Sequence, residues 1–129
     1  MSLTAAETEV RALFEAYEDA LMRNDVAAMD AAFWDSPEVV RYGVAEVQYG
    51  IDAVKRWRAE ATPVLPGRAR EETRVTALSP DCVLVATLFR YPGLPGQLGR
   101  QSQTWARLPE GWRIVHAHVS SIPEVPISK

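Results

Sequence analysis

Cysteine is almost absent from this chain: Cys82 is the only one in 129 residues. A lone thiol cannot staple the fold through an internal disulfide, and it cannot assemble a zinc site by itself. Long apolar runs are missing too. None approaches the roughly 20 residues that cross a bilayer as a helix, so no membrane partner is expected. There is no excess of positive charge, and a net charge of -3 gives no global reason to expect nucleic acid. The opening MSLTAAETEV has no basic stretch followed by an apolar one, which makes a cytoplasmic protein the expectation. The phosphate-binding patterns GxGxxG and GxxxxGK(S/T) do not occur, nor do the hydrolase patterns GxSxG and HExxH.

What is present reads as one ordinary globular domain. The chain is 47% hydrophobic and 24% charged, and at this length it can bury about two-thirds of its unfolded surface. The charge is unevenly spread. Residues 1–40 carry nine Asp/Glu against two Lys/Arg, while residues 41–129 carry eight against twelve. Two readings follow: an acidic solvated helical face beside arginine-using strands, or arginines that hold an anionic ligand.

Helices come first in the pattern and strands afterwards. Thr4 and Glu7 have capping-box spacing, and Val10, Leu13, Phe14, Tyr17 and Leu21 then recur at helical intervals, with Glu15, Glu18, Asp19 and Arg23 off that stripe. Asn24 suits a helix end and Asp25 the cap of a second helix carrying Val26, Met29 and Phe33. A hairpin is predicted from Val39–Tyr42 and Val44–Tyr49, followed by a third helix with Ile51, Val54, Trp57 and Ala61. Arg68–Leu78, Cys82–Tyr91, Gly99–Leu108 and Trp112–Ser121 read as longer strands, and 122–129 as a tail after a single domain, 1–121. This order predicts the α+β class, three helices on a curved, mostly antiparallel sheet. The helices can cover only part of such a sheet, so a cone with an open mouth and an interior pocket is expected.

Few residues there could carry chemistry. Cys82 opens an apolar strand and reads as an inert core thiol. His116 and His118, two apart on one strand, should share a face with Trp112, Ile114 and Ser120. A metal would need a third ligand, for which Glu46 is the only candidate, and no metal is expected. Arg41 sits in a short apolar strand. With Val39 inward it projects into the cone; with Val40 and Tyr42 inward it faces solvent. Arg90 poses the same question. Gln101, Gln103 and Trp105 share one strand face and suit a polar pocket wall or an oligomer interface. Tyr17 reads either as a core aromatic or as a proton donor at the base of the pocket.

The segments Phe14–Leu21, Asn24-Asp25, Phe33-Trp34, Val40-Arg-Tyr-Gly-Val-Ala-Glu46 and Tyr49-Gly-Ile-Asp52, with Gly99-Arg-Gln-Ser-Gln-Thr-Trp105, Glu110–Val115 and His118-Val-Ser120, carry a resemblance. In order and spacing they resemble the AtzH-like proteins, a group that includes the oxalurate-catabolism protein HpxZ. These belong to the SnoaL-like, nuclear transport factor 2-like superfamily. The resemblance implies a cone-shaped, cystatin-like α+β roll, a homodimer packed sheet to sheet, and a functional link to an amidase-signature enzyme. It implies a decarboxylating amidohydrolase acting on 1,3-dicarboxyurea or a related small anionic ureide in ureide and s-triazine nitrogen catabolism. Tyr17 and Arg41 fall on the family's catalytic positions. His118, Glu46, Arg58, Gln103 and Trp105 are the expected substrate-binding partners, and no cofactor is required. The rival expectations are a non-catalytic ureide-binding or amidase-accessory module and a proton-shuffling isomerase or cyclase, which wants an Asp or His base that only His118 clearly supplies.

Overall fold

A computed structural model describes residues 2–124, 126 and 128. Its elements are α1 (Leu3–Arg23), α2 (Val26–Ala32), β1 (Val40–Tyr42), β2 (Val47–Tyr49), α3 (Ile51–Glu60), β3 (Ala69–Ser79), β4 (Cys82–Arg90), β5 (Gln97–Leu108) and β6 (Gly111–Pro123). Among the described residues the strands form one open sheet in the order β2-β1-β6-β5-β4-β3. Every pairing is antiparallel except β1 with β6. Three helices lie against one face of this sheet, and the result is an α+β cone. No described helix is long and apolar enough to cross a membrane.

The helix ends follow from side-chain chemistry, with one correction. The first cap is Ser2, whose hydroxyl accepts from Ala5 N–H at 3.0 Å. Thr4 is already inside the helix, and Glu7 turns away to accept from Ala77 N–H at 2.9 Å. Asn24 closes α1 in the left-handed region at φ 54°, and Asp25 caps α2 by accepting from Ala28 N–H. These back-to-back caps let the chain reverse without a connector.

The buried face of α1 is Ala6, Val10, Phe14, Tyr17, Glu18 and Ala20. Leu13, placed by its spacing on the stripe, is 39% exposed at the edge. Glu18, placed off the stripe, is buried; it lies one turn beyond Phe14 and shares its face. The core joins these residues to Met29, Phe33, Val39, Val54, Val83, Val85, Trp105 and Ile114. Cys82, expected in the core, is only half-buried at the start of β4.

An irregularity in β6 sets the facing of everything after it. Trp105 pairs with Ile114, but its neighbour Thr104 pairs with His116, so Val115 is an extra residue. Such a bulge shifts the two-residue alternation by one. Trp112 and Ile114 point into the core, and beyond the bulge Ala117 points inward while His116 and His118 are exposed on the outer face. The strand also runs further than its pattern indicated. Ile122 and Pro123 pair with Leu98 and Gln97, so the ladder takes in the first two residues expected as tail. Val125, Ile127 and Lys129 lie outside the described residues.

The uneven charge is resolved by pairing between helices and strands. Arg70 donates to both carboxylate oxygens of Glu15, at 3.0 and 2.6 Å, and Arg68 to Glu18 at 2.8 Å. The hydrogen bond from Arg70 holds the Glu15 carboxyl below its ordinary pKa, against an opposing effect of burial. A folded pKa below the unfolded one means that the pair stabilises above the unfolded carboxylate value. That contribution is lost as pH falls through the depressed folded value. Because Glu15 is half exposed, a double-mutant cycle with Glu15→Gln and Arg70→Met should give under about 1 kcal/mol at pH 7. The same cycle in acid should give none; a coupling that persists there would contradict this account.

Gly99 supplies a second expected result. A Cβ at this position would lie inside the ring of Phe89, which faces it across the β4–β5 ladder. Gly99→Ala should therefore displace Phe89 and lower stability by about 1–3 kcal/mol, the usual cost of overpacking. Urea denaturation measures it, and an unchanged midpoint would show that the ring yields freely.

Candidate functional site

Between the inner sheet face and the helices lies a cavity of about 230 Å³. It is lined from α1 by Tyr17, from β1 by Arg41, from α3 by Trp57 and Arg58, and from the far strands by Phe89, Gln101 and Gln103. Glu46, Arg68 and Tyr91 reach it from loops.

Arg41 faces inward. Val39 is fully buried, Val40 and Tyr42 are not, and Arg41 is 8% exposed. Pairing decides this, because β1 is held between β2 and the parallel strand β6, with Arg41 opposite Gln48 and Ala117. Gln48 and Ala117 are buried as well, so one register places all three on the inner face. The Arg41 guanidinium stacks over the Trp57 ring at 3.8 Å, and its Nη1 donates to Gln48 Oε1 and Glu46 Oε1, both at 3.0 Å. Burial lowers the Arg41 pKa from its ordinary value, opposed by the hydrogen bond to Glu46. An arginine so placed still carries its charge at neutral pH.

The local sequence explains how Glu46 gets there. Gly43 N–H donates to Glu46 C=O at 2.9 Å, closing the turn between β1 and β2. A Cβ on Gly43 would occupy the space of the Glu46 carboxylate and crowd Arg41 Nη1. Only glycine lets that carboxylate fold back, and Ala45 N–H steadies it at 3.1 Å.

Tyr17 lies beside Arg58. Its ring packs edge-on to Phe33 at 6.0 Å, and its hydroxyl accepts from Arg58 Nη2 at 3.0 Å. Arg58 Nη1 donates to the sulfur of Met29, and Nε faces Asp30 Oδ1 at 3.4 Å without a hydrogen bond. Burial raises the Asp30 pKa above its ordinary value, and the charge of Arg58 works against that rise.

A second buried network closes the far side. Arg68 and Glu18 are each 4% exposed and pair at 2.8 Å. Arg68 Nη1 donates to Tyr91 Oη at 2.9 Å, Nη2 to Gln101 Oε1 at 2.7 Å, and the guanidinium lies over Phe89 at 3.8 Å.

The expected site residues divide accordingly. Tyr17, Arg41, Glu46, Arg58 and Gln103 meet around one cavity. His118 does not reach it; on the outer face it packs with Tyr42 at 5.9 Å, as does His116. Trp105, 1% exposed, sits behind the wall rather than in it, and donates its indole N–H to Gln103 Oε1 at 2.9 Å. Arg90 pairs at the surface with Glu71 and Glu124. Among the described residues, no three His, Cys, Asp or Glu side chains gather as metal donors. The residues not anticipated are Glu18, Arg68, Tyr91 and Trp57. Glu18 had a signal in its spacing from Phe14, whereas Arg68 and Tyr91 flank strands and had none.

An open α+β cone with a buried Tyr and Arg facing one interior cavity places the chain among the cystatin-like, nuclear transport factor 2-like folds. A nuclear transport factor 2-like protein of Pseudomonas putida KT2440 has this fold at a TM-score of 0.77 and 20% identity, over 98% of this chain and 100% of that one. The particular family follows from sequence: a model of the AtzH-like family matches residues 2–125, and the chain belongs to it. A cystatin-like fold protein of Burkholderia xenovorans LB400 is 48% identical over 94% of this chain and 95% of its own, with a TM-score of 0.90. A DUF3225 family protein of unknown function from Pectobacterium atrosepticum SCRI1043 is 41% identical over 92% and 91%, with a TM-score of 0.87. No curated protein matches this chain.

Proposed function

We propose that this protein is a cofactor-independent decarboxylating amidohydrolase acting on a carboxylated urea, 1,3-dicarboxyurea or a related ureide acid. The observation that carries the reading is the meeting of a buried cation, Arg41, with a buried hydroxyl, Tyr17, on one small cavity. Family membership supports it, because these are the two positions on which the resemblance rests the chemistry.

In the reaction, Arg41 holds the carboxylate of the substrate, whose two oxygens match the planar fork of a guanidinium. The N–carboxyl bond breaks, its electron pair goes to the urea nitrogen, and carbon dioxide departs. The Tyr17 hydroxyl delivers its proton to that nitrogen, so the leaving group is a neutral amide rather than its anion. Water then restores the proton to Tyr17, and the hydroxide left behind combines with carbon dioxide as bicarbonate. Arg58 orients the hydroxyl by donating to its oxygen. The proton-shuffling alternative needs a basic wall residue, and the histidine considered for that role lies on the outer face.

We further propose that the protein works as a homodimer through the outer sheet face, which exposes Tyr49 and Leu84, and that it serves alongside an amidase. The decisive experiment is carbon dioxide release from 1,3-dicarboxyurea and other carboxylated ureas by the purified protein alone. Turnover supports catalysis. Ligand-induced thermal stabilisation without turnover replaces it with a ureide-binding or amidase-accessory role.

A further inference from the structure

Three arginines among the described residues line the cavity, and they are not equally satisfied. A guanidinium has five N–H donors and no acceptor. Arg68 spends its donors on Glu18, Tyr91 and Gln101, and its counter-ion Glu18 is buried with it at 4% exposure. Arg58 is buried to the same degree, yet it makes only two hydrogen bonds. One goes to the Tyr17 hydroxyl at 3.0 Å, the other to the thioether of Met29, a weak acceptor. Its Nε has no acceptor among the described residues. A buried cation with unused donors on a cavity wall is a place for an anion.

The counter-ion of Arg58 is placed to allow this. Asp30 Oδ1 stands 3.4 Å from Arg58 Nε without a hydrogen bond, so it offsets the charge and leaves the donors open. Asp30 also lines a surface groove together with Lys55. Its carboxylate can turn toward that groove when a ligand takes the guanidinium. Glu18, accepting from Arg68 and Gln101 in the interior, has no such exit. Arg41 is in a condition like that of Arg58. Both its hydrogen bonds leave from Nη1, and its counter-ion Glu46 is 26% exposed. The ring of Trp57 lies 3.8 Å from the Arg41 guanidinium and 5.1 Å from that of Arg58, which brings the two charges together. They repel: burial first, and then the charge of Arg58, lower the Arg41 pKa.

We propose that Arg58 is the second carboxylate anchor of the cavity, binding a two-carboxylate substrate jointly with Arg41, and that Asp30 is the displaceable counter-ion that sets its affinity. The inference rests on the cavity being the site for a carboxylated urea, and it adds the residues that recognise the second charge. A ligand with a carboxylate at each end fills the open donors of both arginines and removes the repulsion between them. A ligand with one carboxylate leaves one of the two cations without that compensation. Arg58 keeps its bond to Tyr17 meanwhile, because separate N–H groups serve the hydroxyl and the carboxylate. The residue that orients the proton donor thus also fixes the substrate beside it.

Calorimetry at pH 7 with glutarate against glutaramate isolates the second charge. Glutarate matches 1,3-dicarboxyurea in chain length and has no N–carboxyl bond to break, and glutaramate is its isostere with one carboxylate. The wild-type protein should bind glutarate about tenfold tighter than glutaramate. Arg58→Met should abolish that preference with little change for glutaramate. Asp30→Asn, by removing the competing charge, should tighten glutarate several-fold and leave glutaramate unchanged, whereas a merely structural role would weaken both. Equal binding of the two acids by the wild type overturns the proposal, as does a preference that survives in Arg58→Met. Weaker glutarate binding in Asp30→Asn overturns the counter-ion assignment. If Arg58→Met does not fold, the wild-type preference and Asp30→Asn still decide. Binding of neither acid at millimolar concentration overturns both the anchor and the reading beneath it. A glutarate preference without decarboxylation of 1,3-dicarboxyurea supports the anchor and removes only the proposed reaction.

Discussion

In the Tyr17→Phe protein, carbon dioxide release from a carboxylated urea is expected to fall by about 10²–10⁴-fold, with little change in KM. The magnitude is that of a general acid removed from its transition state. The substitution spares the packing: the ring keeps its edge contact with Phe33, and what is lost is the hydroxyl with its hydrogen bond from Arg58 Nη2. In the proposed mechanism Arg41, not Tyr17, holds the substrate, so ground-state binding should be retained. Arg41→Ala should act differently, raising KM as well as lowering kcat, because it removes the anchor for the carboxylate. Arg41→Lys should recover little, since an ammonium has neither the fork nor the stack on Trp57. Wild-type turnover in both Tyr17→Phe and Arg41→Ala would end the proposed mechanism.

The largest stability effect is expected from Glu18→Ala. It strips the carboxylate from a buried Arg68 and leaves Gln101 Nε2 without its acceptor. Breaking one side of a buried ion pair costs about 3–5 kcal/mol, because the remaining charge is uncompensated. Replacing both partners, Glu18→Leu with Arg68→Met, should restore much of that loss, since two apolar groups of similar size need no solvation. Guanidinium denaturation of the three variants measures both. A loss below about 1 kcal/mol in Glu18→Ala would mean that water or a rearranged partner reaches Arg68.

These two residues also show what could be read from the chain and what could not. The apolar spacing of Val10, Phe14 and Tyr17, the caps at Asn24 and Asp25, and the run of strands after Ile51 indicate an α+β cone, and the fold is that. The segment Arg41-Tyr-Gly-Val-Ala-Glu46 contains its own turn, so the approach of Glu46 to Arg41 is local and legible once the role of Gly43 is seen. The capping box at Thr4 was misleading because the cap lies two residues earlier, at Ser2, a serine with equal capping ability.

Local pattern determined the element types and the family, since periodicity and motif spacing act over a few residues at a time. Facing was decided elsewhere. Arg41 points inward because β1 is clamped between β2 and β6, a pairing with a strand some 75 residues away. His118 points outward because one extra residue, Val115, shifts the alternation of β6 by one position. Glu18 is buried because an arginine 50 residues along the chain arrives to neutralise it. In each case a charged or polar side chain had two orientations of similar local energy. Long-range pairing chose between them, and no local pattern in the sequence encodes which partner will arrive.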